Sequence, residues 1–145
     1  MKENVEVINI VYKDCDMSIK SLTELLKDLD DKQNKIKDTT SNILKGYERY
    51  LKQAEQLLDK YDAEGKKDNI FKEMMSKMGV ANEVKKDNSD ANIAEMLIKG
   101  INMGVENINS KIKGSEEEID KEVLDFADNF LDFQKDNIKE LKKHI

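Results

Sequence analysis

Apolar residues recur along this chain in alternating steps of four and three, and the rhythm divides it into helices. Ile8, Tyr12, Cys15, Ile19, Leu22, Leu26 and Leu29 keep the spacing, with Val11 and Leu25 widening the stripe. Residues three and four apart stack on one face of a helix, and an apolar face of that kind seeks a core. A second stripe reads Ile36, Thr40, Ile43, Tyr47, Tyr50, Ala54, Leu57 and Tyr61, flanked by Leu44, Leu51 and Leu58. Between the two, residues 30–35 are wholly polar, with neither Gly nor Pro to force a turn. The rhythm passes through Gln33 in phase, so two readings compete. One is a turn between antiparallel helices; the other is a single rod from Val5 to Tyr61, roughly 85 Å long, acting as a coiled coil. The turn is preferred, because it lets the two stripes bury one another within one molecule.

After Tyr61, the polar run Asp62 to Asp68 predicts a helix stop, with Gly65 available for a left-handed terminus. Ile70, Phe71, Met74, Met75 and Met78 then suit a short helix ending near Gly79. Its Met-rich face reads as a lid over the bundle or as an adaptable surface for another protein. Ser89 and Asp90 are N-cap candidates for a third long helix carrying Ala94, Ile98, Ile101, Val105, Ile108 and Ile112. Gly100 and Gly104 lie inside it, each costing about 1 kcal/mol relative to Ala, and close approach of a neighbouring backbone is the simplest compensation. Gly114 closes that helix, and Ser115 with Glu118 forms a capping-box pattern that opens a fourth. The fourth stripe holds Ile119, Val123, Phe126, Ala127, Phe130, Leu131, Phe133, Ile138, Leu141 and Ile145. Glu116, Glu117 and Glu118 lie in its first turn and Lys139, Lys142 and Lys143 in its last, matching the helix dipole.

The predicted helices are therefore 5–30, 34–62, 90–113 and 116–144, in one domain over residues 1–145. Proline is absent, charged residues make up 39% of the chain and hydrophobic ones 38%, a balance that fits narrow apolar seams between broad solvated faces. The fold expected is an all-α four-helix bundle. Its connections are short, long and very short, and a single long crossover between helices 2 and 3, here carrying the short Met-rich helix, is the ferritin-like connectivity. Over Ala94 to Val105, and again over Asp136 to Lys143, the chain resembles uncharacterised bacterial ferritin-like bundle proteins. The resemblance implies a fold and leaves activity open, because such bundles include di-iron proteins and members without metal.

The net charge of −6, with acids and lysines interleaved, argues against a nucleic-acid partner. No apolar run reaches the roughly 20 residues of a membrane span, and no signal peptide is evident, so a cytoplasmic location is expected. Cys15 falls on an apolar stripe, where an inert thiol is expected. A di-iron bundle takes a Glu from each of two helices and a Glu-x-x-His pair from each of the others. This chain has no such pair, and its one histidine, His144, is the penultimate residue, where fraying is expected.

Acids and amides near the stripe edges, namely Asp16, Glu48, Glu55, Asn102, Glu106, Asp128 and Asp132, leave an all-carboxylate site as the alternative, with Glu48 and Glu106 its first candidates. The residues show no phosphate loop, catalytic triad or CxxC pair. Tyr12, Tyr47, Tyr50, Tyr61, Phe126, Phe130 and Phe133 sit on or beside seams, so packing is preferred over a ligand pocket. The expected function is non-enzymatic association, as a homo-oligomer or with a protein partner, without cofactor. The alternative is a metal-dependent oxidoreductase or metal-storage protein.

Overall fold

A computed structural model describes residues 2–65 and 87–145, and these form four long helices with no strand among them. Helix α1 spans Lys2–Asp28, α2 Ile36–Lys60, α3 Asp90–Ile112 and α4 Lys121–Lys142, with a 3₁₀ turn at Glu116–Glu118 before the last. The expected Met-rich helix over residues 70–79 lies outside the described residues.

Separate α1 and α2 replace the single-rod reading. Leu29 and Ile36, one on each side of the turn, are fully buried and plug its base. The turn lacks Gly and Pro, and a lysine supplies what they would have supplied: Lys37 Nζ donates to the carbonyls of Asp30 and Lys32, each at 3.2 Å. Carbonyls that leave a helix end without an N–H partner are thereby satisfied.

Contacts at the helix ends fix direction. Asn34 Nδ2 donates to the Asn88 carbonyl at 2.7 Å and to Asp90 Oδ1 at 2.8 Å, setting the start of α3 beside the α1–α2 turn. Ser89 caps α3 by accepting from the Asn92 N–H. At the opposite end, Lys111 in the last turn of α3 pairs with Glu3 at 2.9 Å and with Glu6, both on α1. There too Lys60 of α2 pairs with Glu122 of α4 at 2.7 Å. Back at the first end, His144 Nε2 lies 2.9 Å from Thr39 Oγ1, so the residue expected to fray is tied to the first turn of α2. Helices α1 and α4 thus run one way, α2 and α3 the other. Helices α1 and α4 each pack against all three others, while α2 and α3 each pack against α1 and α4. The cross-section is a rhombus with α1 and α4 on its short diagonal and every neighbour around its edge antiparallel.

Two helix ends differ from expectation. The left-handed residue after α2 is Asp62, at φ 54°, rather than Gly65. The Asp62 N–H donates to the Asp59 carbonyl at 3.0 Å and the Ala63 N–H to the Leu58 carbonyl at 2.8 Å, the paired bonds of a Schellman terminus. Gly65 lies beyond it with its Cα against the Tyr12 ring, where an added Cβ would come within 2.5 Å of Cζ. Gly114, at φ 83°, does close the α3 terminus as expected. The capping box does not form, because Ser115 makes no side-chain cap bond. Ile119 takes an extended conformation and is buried, and this apolar anchor delays the start of α4 to Lys121.

The apolar stripes supply the core, with Ile8, Val11, Cys15, Ile43, Tyr47, Ala54, Ile108, Val123, Ala127, Phe130 and Leu141 all buried. Ile145 is 61% exposed and falls outside it. The aromatic group packs edge to face between α2 and α4, Tyr47 against Phe133 at 5.0 Å and Tyr50 against Phe130 at 5.2 Å. Gly46 admits the Phe133 ring, since a Cβ there would overlap Cε1 and approach Cζ to 2.6 Å.

Two outcomes follow from these positions. Replacing Asp62 with Gly relieves a left-handed side-chain residue and is expected to raise stability by about 0.5–1 kcal/mol in denaturant melts. Gly46→Ala improves helix propensity, yet it is expected to lower stability by about 1–3 kcal/mol through displacement of Phe133, and a rise in the melting midpoint would refute this packing.

Candidate functional site

A polar cluster lies at mid-height in the bundle, where side chains of α1, α2 and α4 meet beside Gly104 of α3. On α1, Asp14 lies one helical turn before Ser18, whose hydroxyl donates to Asp14 Oδ1 at 3.1 Å. From α4, Gln134 reaches across the short diagonal and its Nε2 donates to Asp14 Oδ2 at 2.8 Å. Tyr47 on α2 places its hydroxyl 3.5 Å from the same nitrogen. On α3 the facing residue is Gly104. A Cβ there would collide with Asp14 Oδ2 and come within 3.0 Å of Gln134 Nε2. The expected compensation for a glycine in this helix was a neighbouring backbone; at Gly104 the neighbour is a carboxylate.

Burial sets the electrostatics. Removal from water pushes the Asp14 carboxyl up from 3.8 to about 6, against the opposing hydrogen bonds from Gln134 and Ser18. Burial also pushes up the Tyr47 phenol, with the Asp14 charge adding to it. The Cys15 thiol is raised by burial and then by the charges of Asp14 and Asp16, which keeps it protonated and unreactive, as expected of a core cysteine. Gln134 is fully buried, and among the described residues its Oε1 accepts no hydrogen bond and Thr40 Oγ1 and Asn137 Nδ2 find no partner. Buried polar atoms without partners cost about 1–3 kcal/mol each, so this layer lowers the stability of the bundle.

The carboxylates named from the sequence lie elsewhere. Glu48 and Glu106 are exposed, on α2 and α3, the pair of helices on the long diagonal of the rhombus. Glu55, Asn102, Asp128 and Asp132 are also exposed, and Asp16 is buried in a pair with Lys20 at 2.8 Å. Among the described residues, no group of three or more His, Cys, Asp or Glu side chains is placed to hold a metal. The aromatic residues behave as packing. Tyr50 donates to the Asn129 carbonyl at 3.1 Å, and Tyr61 donates to Asp120 at 2.5 Å, a bond that pushes the Tyr61 phenol up to about 12. An open groove of 610 Å³ lies between α2 and α4, lined by Gln53, Gln56, Leu57, Lys121, Asp125 and Phe126 among others, and it does not reach the polar layer. No described helix is long and apolar enough to cross a membrane.

Asp14 and Gln134 were missed because a stripe is read from apolar positions. The available signal was Gly104, a glycine in a helix interior that asks what fills its missing side chain. Comparison with models of protein families, with curated proteins and with solved structures gives no match for this chain.

The raised acid fixes the sign of a pH dependence. The folded chain binds the Asp14 proton more tightly than the unfolded chain does, so stability falls as pH rises from about 4 to about 6 and then levels. Asp14→Asn is expected to remove that slope and to stabilise the protein at pH 7 by up to about 3 kcal/mol, measured by urea unfolding across pH.

Proposed function

We propose that this chain is a non-enzymatic helical-bundle protein of ferritin-like connectivity that works by association, first of all with a second copy of itself. The parallel course of α2 and α3 supports the connectivity. Lys60 lies beside Glu122 at one end of the bundle and Asp90 beside Asn34 at the other, so the intervening chain has the bundle's length to cover.

One observation carries the functional reading, the make-up of the bundle centre. Where a di-iron bundle gathers a Glu from each helix and two histidines, this chain presents one carboxylate with an amide, a serine, a phenol and a glycine. A single carboxylate does not balance two divalent ions, and Gln134 turns its N–H rather than its carbonyl toward Asp14, so this donor set does not fit the group. The two acids first considered for a storage or oxidoreductase site, Glu48 and Glu106, stand exposed on helices that do not pack together. Association is favoured by one flank of α3, where Met96, Gly100 and Met103 follow at steps of four and three and Met103 is 39% exposed.

Light scattering with elemental analysis of protein purified without chelator tests this reading. The expected outcome is an oligomer without stoichiometric iron, manganese or zinc, shifted toward monomer by Met103→Glu. A monomer at all concentrations, or a metal bound in stoichiometric amount, would overturn it.

A further inference from the structure

The polar layer has an arrangement that a purely structural pair would not need. Asp14 bonds Ser18 on its own helix and Gln134 on α4, is linked through Gln134 to Tyr47 on α2, and stands against α3 at Gly104, where that helix has no side chain. On each packed element the groups facing it are neutral: Ser18 on its own helix, Tyr47 on α2, the Gly104 backbone on α3 and Gln134 on α4. The charges nearby belong to α1 itself, Lys13 and the Asp16–Lys20 pair, while Glu106 on α3 and Asp132 and Lys135 on α4 face water. Among the described residues, no cation from across the bundle pairs with Asp14. Asp14 as a whole residue is half-buried, so its carboxyl, although crowded by protein, can exchange a proton with solvent.

We propose that Asp14, held by Gln134, is a proton-operated latch on α3, closing the α1–α3 seam over Gly104 when it takes up a proton and opening that seam to water when it loses it. The proton comes from solvent and goes to Oδ1. Ser18 Oγ, a donor to that oxygen when it is ionised, turns and accepts from it, while Oδ2 keeps the bond from Gln134 Nε2. The pair then carries no charge, and the carboxyl sits against the α3 backbone without drawing water. Once ionised, the same carboxyl draws water into the seam, because the only hydrogen bonds offered to it come from neutral groups. The middle of α3, around Gly104, is the segment released, since the first turn of that helix stays tied to the α1–α2 turn through Asn34 and its last to α1 through Lys111.

Amide hydrogen exchange read residue by residue, with carbon NMR of the Asp14 carboxyl, tests the latch in the full chain. After correction for intrinsic rates, amides around Gly104 are expected to lose protection by about tenfold or more between pH 5 and pH 7.5, following the Asp14 titration, while amides of α2 change little. Asp14→Asn is expected to hold α3 protected at both pH values. Gly104→Ala is expected to displace the carboxyl into water, return its titration to the ordinary range and abolish the pH effect. An Asp14 carboxyl titrating near 4 in the wild type, α3 protection unchanged with pH, or the same change persisting in Asp14→Asn would each overturn the proposal.

Discussion

Every other helix of this bundle packs on α1, and that single constraint organises the rest. A helix at the corner of a square touches two neighbours; one drawn in along the short diagonal touches three. Helix α1 accordingly presents a broad apolar face, with Val7, Ile8, Val11, Tyr12 and Cys15 all buried. Burial on that scale leaves little room for polar residues, and the few that intrude acquire unusual surroundings. Asn4 is buried where α1 meets the start of α4, Asp16 folds back on Lys20, and Asp14 bonds Gln134 of α4 beside Gly104 of α3.

Packing on three sides also explains how the bundle tolerates its polar layer. Aromatic contacts of Tyr47 and Tyr50 with Phe130 and Phe133 hold α2 to α4 just beside Gln134, ion pairs close one end, and hydrogen bonds of Asn34 and His144 close the other. Exposed pairs of this kind contribute about 1 kcal/mol or less each, so apolar burial provides most of the stability and the ion pairs chiefly set register. A destabilising centre inside a well-buried frame is the arrangement expected where a residue is kept for something other than stability.

Much of the architecture was legible in the four-three rhythm, because a helix that buries one face must repeat apolar residues on it. The turn at residues 30–35 was legible only as an interruption. What makes it a turn is Lys37 donating to two carbonyls, a contact that spacing does not reveal. The delayed start of α4 was illegible for a similar reason, since Ser115 and Glu118 form a sound local pattern that the burial of Ile119 overrides. At the centre, a hydrophobic pattern finds the apolar walls and passes over the polar residue between them. Asp14 looks like any other acid in a chain so rich in them, and only its neighbours, distant in sequence, distinguish it.

The start of α4 carries one more implication. Asp120 occupies the position from which a side chain normally caps a helix, yet it makes no such bond, because its carboxylate accepts from Tyr61 while its N–H donates to Asn4. Those partners stand 59 and 116 residues away, at the tail of α2 and the head of α1. The first turn of α4 is therefore templated by the α1–α2 hairpin rather than by its own neighbours. The last helix thus inherits its register from the first two.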